Sequence, residues 1–282
     1  MSNAAVAAIS VALYILLAPG VGGLLQGVDR KATARMQGRQ GPPLLQSFYD
    51  VGKLLGKETK YMNHIQIVCH VSFLIFVIFT GALFFGGGDL LLIFFALTTA
   101  NLCLILAATT CNSPYAAMGA NREMLQTMAY EPMVLLTAVG FYLATGSFKV
   151  SDIVRSSGLP PIVYLPGVFC GFLFILTIKL RKHPFDLSTS HHAHQEMVKG
   201  LTTEFNGVTL LIVEVSHWYE NVFLMGIIAL FFINGKRVAR KANKLDGGRV
   251  HLQSYDREFT SQTLPAAEAR VLARCVKLER RL

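Results

Sequence analysis

The sequence predicts an all-α, polytopic transmembrane helix bundle, and three observations carry that prediction. Of 282 residues, 52% are hydrophobic and only 15% are charged, where a soluble domain carries about 25% charged residues. The mean hydropathy of +0.46 is too apolar for an ordinary water-soluble fold. Six apolar runs, 4–27, 65–86, 90–112, 124–147, 162–178 and 207–233, reach or approach the length of a membrane span, for which a helix needs roughly 20 residues.

The first run starts too close to Met1, with no basic flank and no A-x-A site, to be a cleaved signal peptide, and it continues past Pro19 to Gly27. Between the second and third runs, Gly86-Gly87-Gly88 before Asp89 reads as a turn and fits no phosphate loop. The stretch 112–122, with Asn112-Ser113-Pro114 and Asn121-Arg122, reads as a turn between the third and fourth runs. The fifth run is short and extends only if Lys179 snorkels to the membrane surface. After the sixth run the chain turns polar abruptly at Asn234. This divides it into a transmembrane domain, 1–234, and a polar basic tail, 235–282.

Lys and Arg counts in alternate loops set the orientation. Loops 28–64, 113–123 and 179–206 hold twelve, against two in 87–89 and 148–161. The first set is expected in the cytoplasm, with the N-terminus outside, in a cytoplasmic (cell) membrane. The tail breaks this pattern. Residues 236–282 hold twelve Lys and Arg against five Asp and Glu, and account for most of the net charge of +9, yet six crossings place them outside. The basic balance therefore gives no reason to expect a nucleic-acid partner. Ala267, Val271, Cys275, Leu278 and Leu282 fall at helical spacing, which makes a short surface helix one reading of the tail and an aberrant end the other.

Five scattered cysteines with no C-x-x-C pair give neither a disulfide framework nor a cluster site. No cofactor or metal is expected in this chain, so any electrons travel on other subunits. The informative residues are carboxylates within apolar runs. Glu131 lies in the fourth run, and Glu214 and Glu220 in the sixth. An ionisable group at mid-membrane costs about 2.5–3.5 kcal/mol or more and marks an ion path by default. Glu214, His217 and Glu220 recur at spacings of three on one helix face, which reads as a relay. The plainer reading of Glu131 and Glu220 is a side chain that snorkels or pairs with Arg122. His191, His192 and His194 form an HHAH stretch in the loop 179–206. With no fourth ligand or nearby cysteine, it reads as a docking loop and not a zinc site.

Three segments together resemble one family. They are DRKATARMQGRQGPPLLQSFYDVGKLLGKE, residues 29–58; GANREMLQTMAYE, 119–131; and HPFDLSTSHHAHQEMVKGLTTEF, 183–205. In this order they resemble the H-type (subunit-one) membrane protein of respiratory complex I and its relatives in membrane-bound NiFe hydrogenases. The compact GPPLLQSFYD segment lacks an insertion common in the quinone-reducing branch, and SHHAHQEMVKGLTTEF is similar to the Ech-like energy-converting hydrogenases.

The resemblance implies a helical anchor beneath a soluble hydrogenase module fed by ferredoxin, coupling hydrogen formation to proton or sodium movement. It places Asp29, Arg30, Arg35, Arg39 and Asp50 in a docking loop. Arg122, with the histidines of the HHAH stretch, joins the docking residues, and Glu123, Glu131, Asp186, Glu196 and Glu204 join the ion path. Either Glu214 or His217 stands where the family carries its next intramembrane Glu. The expected partners are the membrane, the hydrogenase large and small cluster subunits and an antiporter-like membrane subunit. The NiFe centre and iron–sulfur clusters are expected on those partners. The family carries further apolar helices after the sixth, so a truncated or frame-shifted end is the expectation for the tail. Two other readings compete: a quinone-binding membrane component of a complex I-like NADH dehydrogenase, and a stand-alone secondary transporter, whose usual repeated half is not seen.

Overall fold

The computed structural model describes residues 3–58, 63–156, 160–182, 185 and 200–233, all within one compact unit spanning residues 1–236. Asp186, Glu196, His191, His192, His194 and the tail 235–282 lie outside the described residues. The helices are α1 (Asn3–Met36), α2 (Gln46–Leu55), α3 (His64–Phe85), α4 (Leu90–Thr109), α5 (Pro114–Thr145), α6 (Val150–Arg155), α7 (Pro161–Tyr164), α8 (Pro166–Lys179) and α9 (Gly207–Phe232), with a 3-10 turn at Gly200–Thr202. Among the described residues there is no β-strand, only an isolated bridge between Asp89 and Lys149.

Five helices, α1, α3, α4, α5 and α9, are long and apolar enough to cross a membrane. The fifth predicted run does not form a sixth helix of that length. It breaks at Pro166, whose ring lacks the N–H a continuing helix needs, into the one-turn α7 and the 14-residue α8. At 1.5 Å per residue α8 covers about 21 Å, short of the ~30 Å hydrocarbon core. The predicted turn over 112–122 is also shorter than expected. Helix α4 ends at Thr109, and α5 starts at Pro114 with proline in its first turn, where the missing N–H costs nothing. Arg122 and Glu123 therefore sit on a helix and not in a loop. At the other end of the bundle the Gly86–Gly88 turn is confirmed: Gly87 has φ +80°, and Asp89 caps α4 by accepting from the Leu91 N–H at 3.0 Å.

Proline also interrupts the backbone bonding of α1. Pro19 lies inside this 34-residue helix and cannot donate to the Ile15 carbonyl one turn earlier. The Tyr219 hydroxyl of α9 donates to that oxygen instead, at 2.9 Å, which meets the requirement that backbone groups in lipid find partners within the protein. The Tyr14 hydroxyl returns a bond to the Tyr219 carbonyl at 3.3 Å, and fits because residue 81 of α3 is a glycine with no Cβ to block it.

Two apolar clusters fill the bundle. One, with Phe84, Phe141, Phe172, Phe223 and Phe231, joins α3, α4, α5, α8 and α9 toward the 86–89 and 146–165 connections. The other, with Tyr14, Phe73, Leu104, Leu201 and Phe205, occupies the opposite end. At that second end lie the end of α1, α2, the starts of α3, α5 and α9, and the end of α8. The described residues of all three family-like segments, 29–58, 119–131, and 185 with 200–205, gather there, which makes it the motif end of the bundle.

Candidate ion-path site

Segments far apart in sequence meet at the motif end through named contacts. Residue 119 on α5 is a glycine because the Leu201 backbone of the 3-10 turn lies where a side chain would go. Arg181 after α8 pairs with Glu123 at 3.3 Å, and Gln126 donates to the Phe185 carbonyl at 3.0 Å. Lys182 pairs with Asp29 at the end of α1. Arg30 pairs with Asp50 of α2 at 2.8 Å, and Gln46 donates to the same carboxylate at 3.0 Å. Partial burial pushes the Asp50 carboxyl up. The bonds from Arg30 and Gln46 and the charges of Arg30 and Lys53 outweigh that, and hold it below the ordinary carboxylate value. Arg35 in the last turn of α1 and Arg39 just beyond it are exposed.

Deeper in the bundle lies the charged cluster. Lys179 at the end of α8 pairs with Glu220 of α9 at 2.9 Å, and each side chain is only 5% exposed. His217 Nδ1 lies 3.2 Å from the other Glu220 oxygen. Lys179 also sits over the Tyr130 ring of α5, 4.9 Å from its centroid, a cation–π contact. The Tyr130 hydroxyl accepts from the Asn101 amide of α4 at 3.1 Å. Five groups from four helices therefore form one polar network inside apolar helices.

Lys179 thus overturns the expectation that it snorkels: its ammonium turns inward because a buried carboxylate waits there. Glu220 does not pair with Arg122 either, since Lys179 satisfies it. Glu214 takes a different partner from its two neighbours at spacing three. The Gln26 amide of α1 donates to it at 3.2 Å, and Trp218 donates to the Gln26 oxygen at 2.6 Å. Glu131 is half-buried on α5, directly before Pro132, and joins none of these pairs. Glu204 is half-buried between the 3-10 turn and α9, near enough to Cys111 to act on its thiol.

Beside the cluster is a cavity of ≈ 500 Å³ between α1, α8 and α9. Asp29, Gln26, Lys179, Arg181, Glu214 and His217 give it polar walls, and aliphatic side chains from α1, α8 and α9 make up most of the remainder. Glu214 and His217, the two candidates for one role, both face it. Sequence reading missed Gln26, Trp218, Tyr130 and Asn101. It had a signal for Lys179, a lysine between Ile178 and Leu180 at the end of an apolar run, but no way to see its partner 41 residues on.

A multi-pass helical bundle with paired charges buried across its helices defines a class, the integral membrane subunits that carry ionisable groups through the bilayer. The NADH dehydrogenase family matches residues 8–257, and the chain belongs to that family. The match runs past residue 234. The chain is 26% identical over 239 residues to Hydrogenase-4 component C of Escherichia coli (strain K12), covering 78% of this chain and 72% of that one. It is 29% identical to Formate hydrogenlyase subunit 4 of the same organism, covering 65% and 64%. It is also 29% identical to the H-type component of the NADH-quinone oxidoreductase of Ehrlichia ruminantium (strain Gardel), covering 74% and 65%. The chain thus spans about two thirds of the length of these relatives. Among solved structures, it resembles a chain of the membrane-bound sulfane sulfur reductase, an archaeal respiratory membrane complex. The TM-score is 0.73 at 25% identity, with 81% of this chain and 79% of that one covered.

Proposed function

We propose that the chain is the membrane anchor and ion-coupling subunit of an energy-converting, ferredoxin-linked NiFe hydrogenase complex. It catalyses no redox step itself. The observation that carries the coupling role is the buried Lys179–Glu220–His217 cluster beside a cavity that Glu214 also lines. Buried ionisable groups near one another can take up and release protons when a neighbouring charge changes. A redox module docked on the motif end supplies such a change, and the coupling is a free energy shared between the two sites. The compact GPPLLQSFYD segment and the likeness to two hydrogenase-type proteins support the hydrogenase branch. In this reading the NiFe centre and iron–sulfur clusters belong to partner subunits, and an antiporter-like subunit continues the ion path in the membrane.

A second reading has its own support. The cavity combines apolar walls with a polar lining, and the identity to the H-type component of a NADH-quinone oxidoreductase equals that to Formate hydrogenlyase subunit 4. This favours a subunit that binds a lipid-soluble quinone. Membranes containing the assembled complex distinguish the two. Hydrogen evolution from reduced ferredoxin is expected, with ion uptake into sealed vesicles that falls in Glu131→Gln. Quinone reduction without hydrogen evolution would transfer the assignment to the second reading.

A further inference from the structure

A second buried polar cluster lies on α3 at the motif end, apart from the Lys179–Glu220 pair. His70 is fully buried, and Gln66 one turn earlier is 1% exposed. His70 Nδ1 lies 2.6 Å from the Gln66 main-chain oxygen. That oxygen can only accept, so Nδ1 carries the hydrogen and Nε2 holds a bare lone pair. Among the described residues, neither His70 Nε2 nor Gln66 Oε1 has a hydrogen-bond partner. The Gln66 amide nitrogen is committed to Cys111 Sγ at 3.3 Å. Buried polar atoms are otherwise paired, and two bare acceptors one helical turn apart suit an O–H donor such as water.

The position of the cluster gives it a role. The His70 ring stands edge-on to Phe205, 4.3 Å between centroids, and Phe205 directly follows Glu204. Three residues deeper on the same face of α3, the fully buried Phe73 stands edge-on to His217 at 5.9 Å. At 1.5 Å per residue, His70 lies about 9 Å and Phe73 about 14 Å into α3. Going inward from Glu204, the order is His70, Phe73, His217, Glu220. The other titratable groups around this column are Cys69 of α3, Cys103 of α4, Cys111 beyond α4, Tyr14 of α1 and Tyr219 of α9, with Lys179 of α8 at its inner end.

We propose that His70 is a proton station on the motif side of the buried path, loaded on Nε2 through a water held with Gln66 Oε1, and that Phe73 is the apolar barrier between it and His217. This rests on the ion-path reading above. In loading, a hydrated proton arriving from the Glu204 end leaves its water for Nε2. One O–H bond breaks, one N–H bond forms, and no electron moves. The resulting imidazolium keeps its Nδ1–H bond to the Gln66 oxygen. In discharge Nε2 returns the proton to water on the inner side, and His217, whose Nδ1 is engaged by Glu220, receives it on Nε2.

The test uses the assembled complex in sealed vesicles and reads charge moved per electron transferred. His70→Gln keeps hydrogen-bonding capacity but cannot hold the proton, and is expected to lower that ratio on the order of tenfold. Phe73→Ala is expected to act oppositely on permeability, admitting a passive proton leak without turnover. A merely structural lesion would not give this pair of effects. Infrared spectra of the complex with isotope-labelled histidine should show an imidazole that gains and loses a proton during turnover and that His70→Gln removes. A normal ratio in His70→Gln overturns the proposal. If Glu131→Gln still loses translocation, the station alone fails; if both variants pump normally, the ion-path reading fails with it. Should His70→Gln not assemble, a tight membrane in Phe73→Ala, together with no change in the imidazole spectrum of the unaltered complex during turnover, overturns the proposal equally.

Discussion

Lys179 and Glu220 illustrate how a residue's neighbours decide its meaning. Each alone is a charge in an apolar helix; together, at 2.9 Å and almost without solvent, they neutralise one another. Removing one partner from a buried pair leaves an uncompensated charge and costs about 3–5 kcal/mol. Lys179→Met and Glu220→Gln are therefore each expected to lower the melting temperature of the detergent-solubilised complex sharply. The double variant should recover most of the loss, and a double-mutant cycle measures the coupling. Purely additive losses would show that the pair does not act as one unit. Asp50 makes a different prediction because it is partly solvated. Its carboxyl is held below its ordinary value, so its bond to Arg30 stabilises the α1–α2 junction above about pH 4 and is lost as the pH falls through the depressed folded value. Protease cutting between α1 and α2 should increase in acid, and Asp50→Asn should abolish that pH dependence.

Close approach between elements depends on glycines. The α5 helix meets the 3-10 turn at Gly119, where a side chain would collide with the Leu201 main chain. Backbone cannot swing aside as a flexible side-chain end can, so Gly119→Val is expected to push the 200–205 segment off α5. Destabilisation of about 1–3 kcal/mol is the usual result of overpacking. It should appear as faster hydrogen exchange in residues 200–205, and unchanged exchange there would show that the turn is held elsewhere. The junction of α1 and α9 also depends on a missing group: Pro19 frees the Ile15 carbonyl, and Tyr219 on α9 supplies the replacement donor.

For the whole molecule, the charge count and the helix directions group the same loops. The end of α1, the turn between α4 and α5, the end of α8 and the start of α9 lie at one end, and the loops that begin or end there hold twelve Lys and Arg against two in the others. The expected orientation has this end in the cytoplasm. Cysteine placed at Gln37 should then react with an impermeant reagent only from the cytoplasmic side, and cysteine at Lys149 only from the outside. Reversed labelling would move the docking surface to the other face of the membrane.

Membrane character was legible in the chain because hydrophobicity adds up locally: some 20 consecutive apolar residues need no knowledge of their neighbours. The same local logic found Glu131, Glu214, His217 and Glu220, since a charge in an apolar run is visible without a partner. It placed α3, α4 and α9 close to their observed limits. It misread stretches where proline acts. At 162–178 the run of apolar residues concealed the break at Pro166, and at 112–122 polar residues concealed a helix that Pro114 begins. Which charge faces which was decided only by the tertiary structure. Lys179 and Glu220 are 41 residues apart, and Gln26 and Glu214 are 188 apart. Only helix packing brings them together, because the energy of an ion pair depends on distance and on the absence of water, and neither is a property of one segment of sequence.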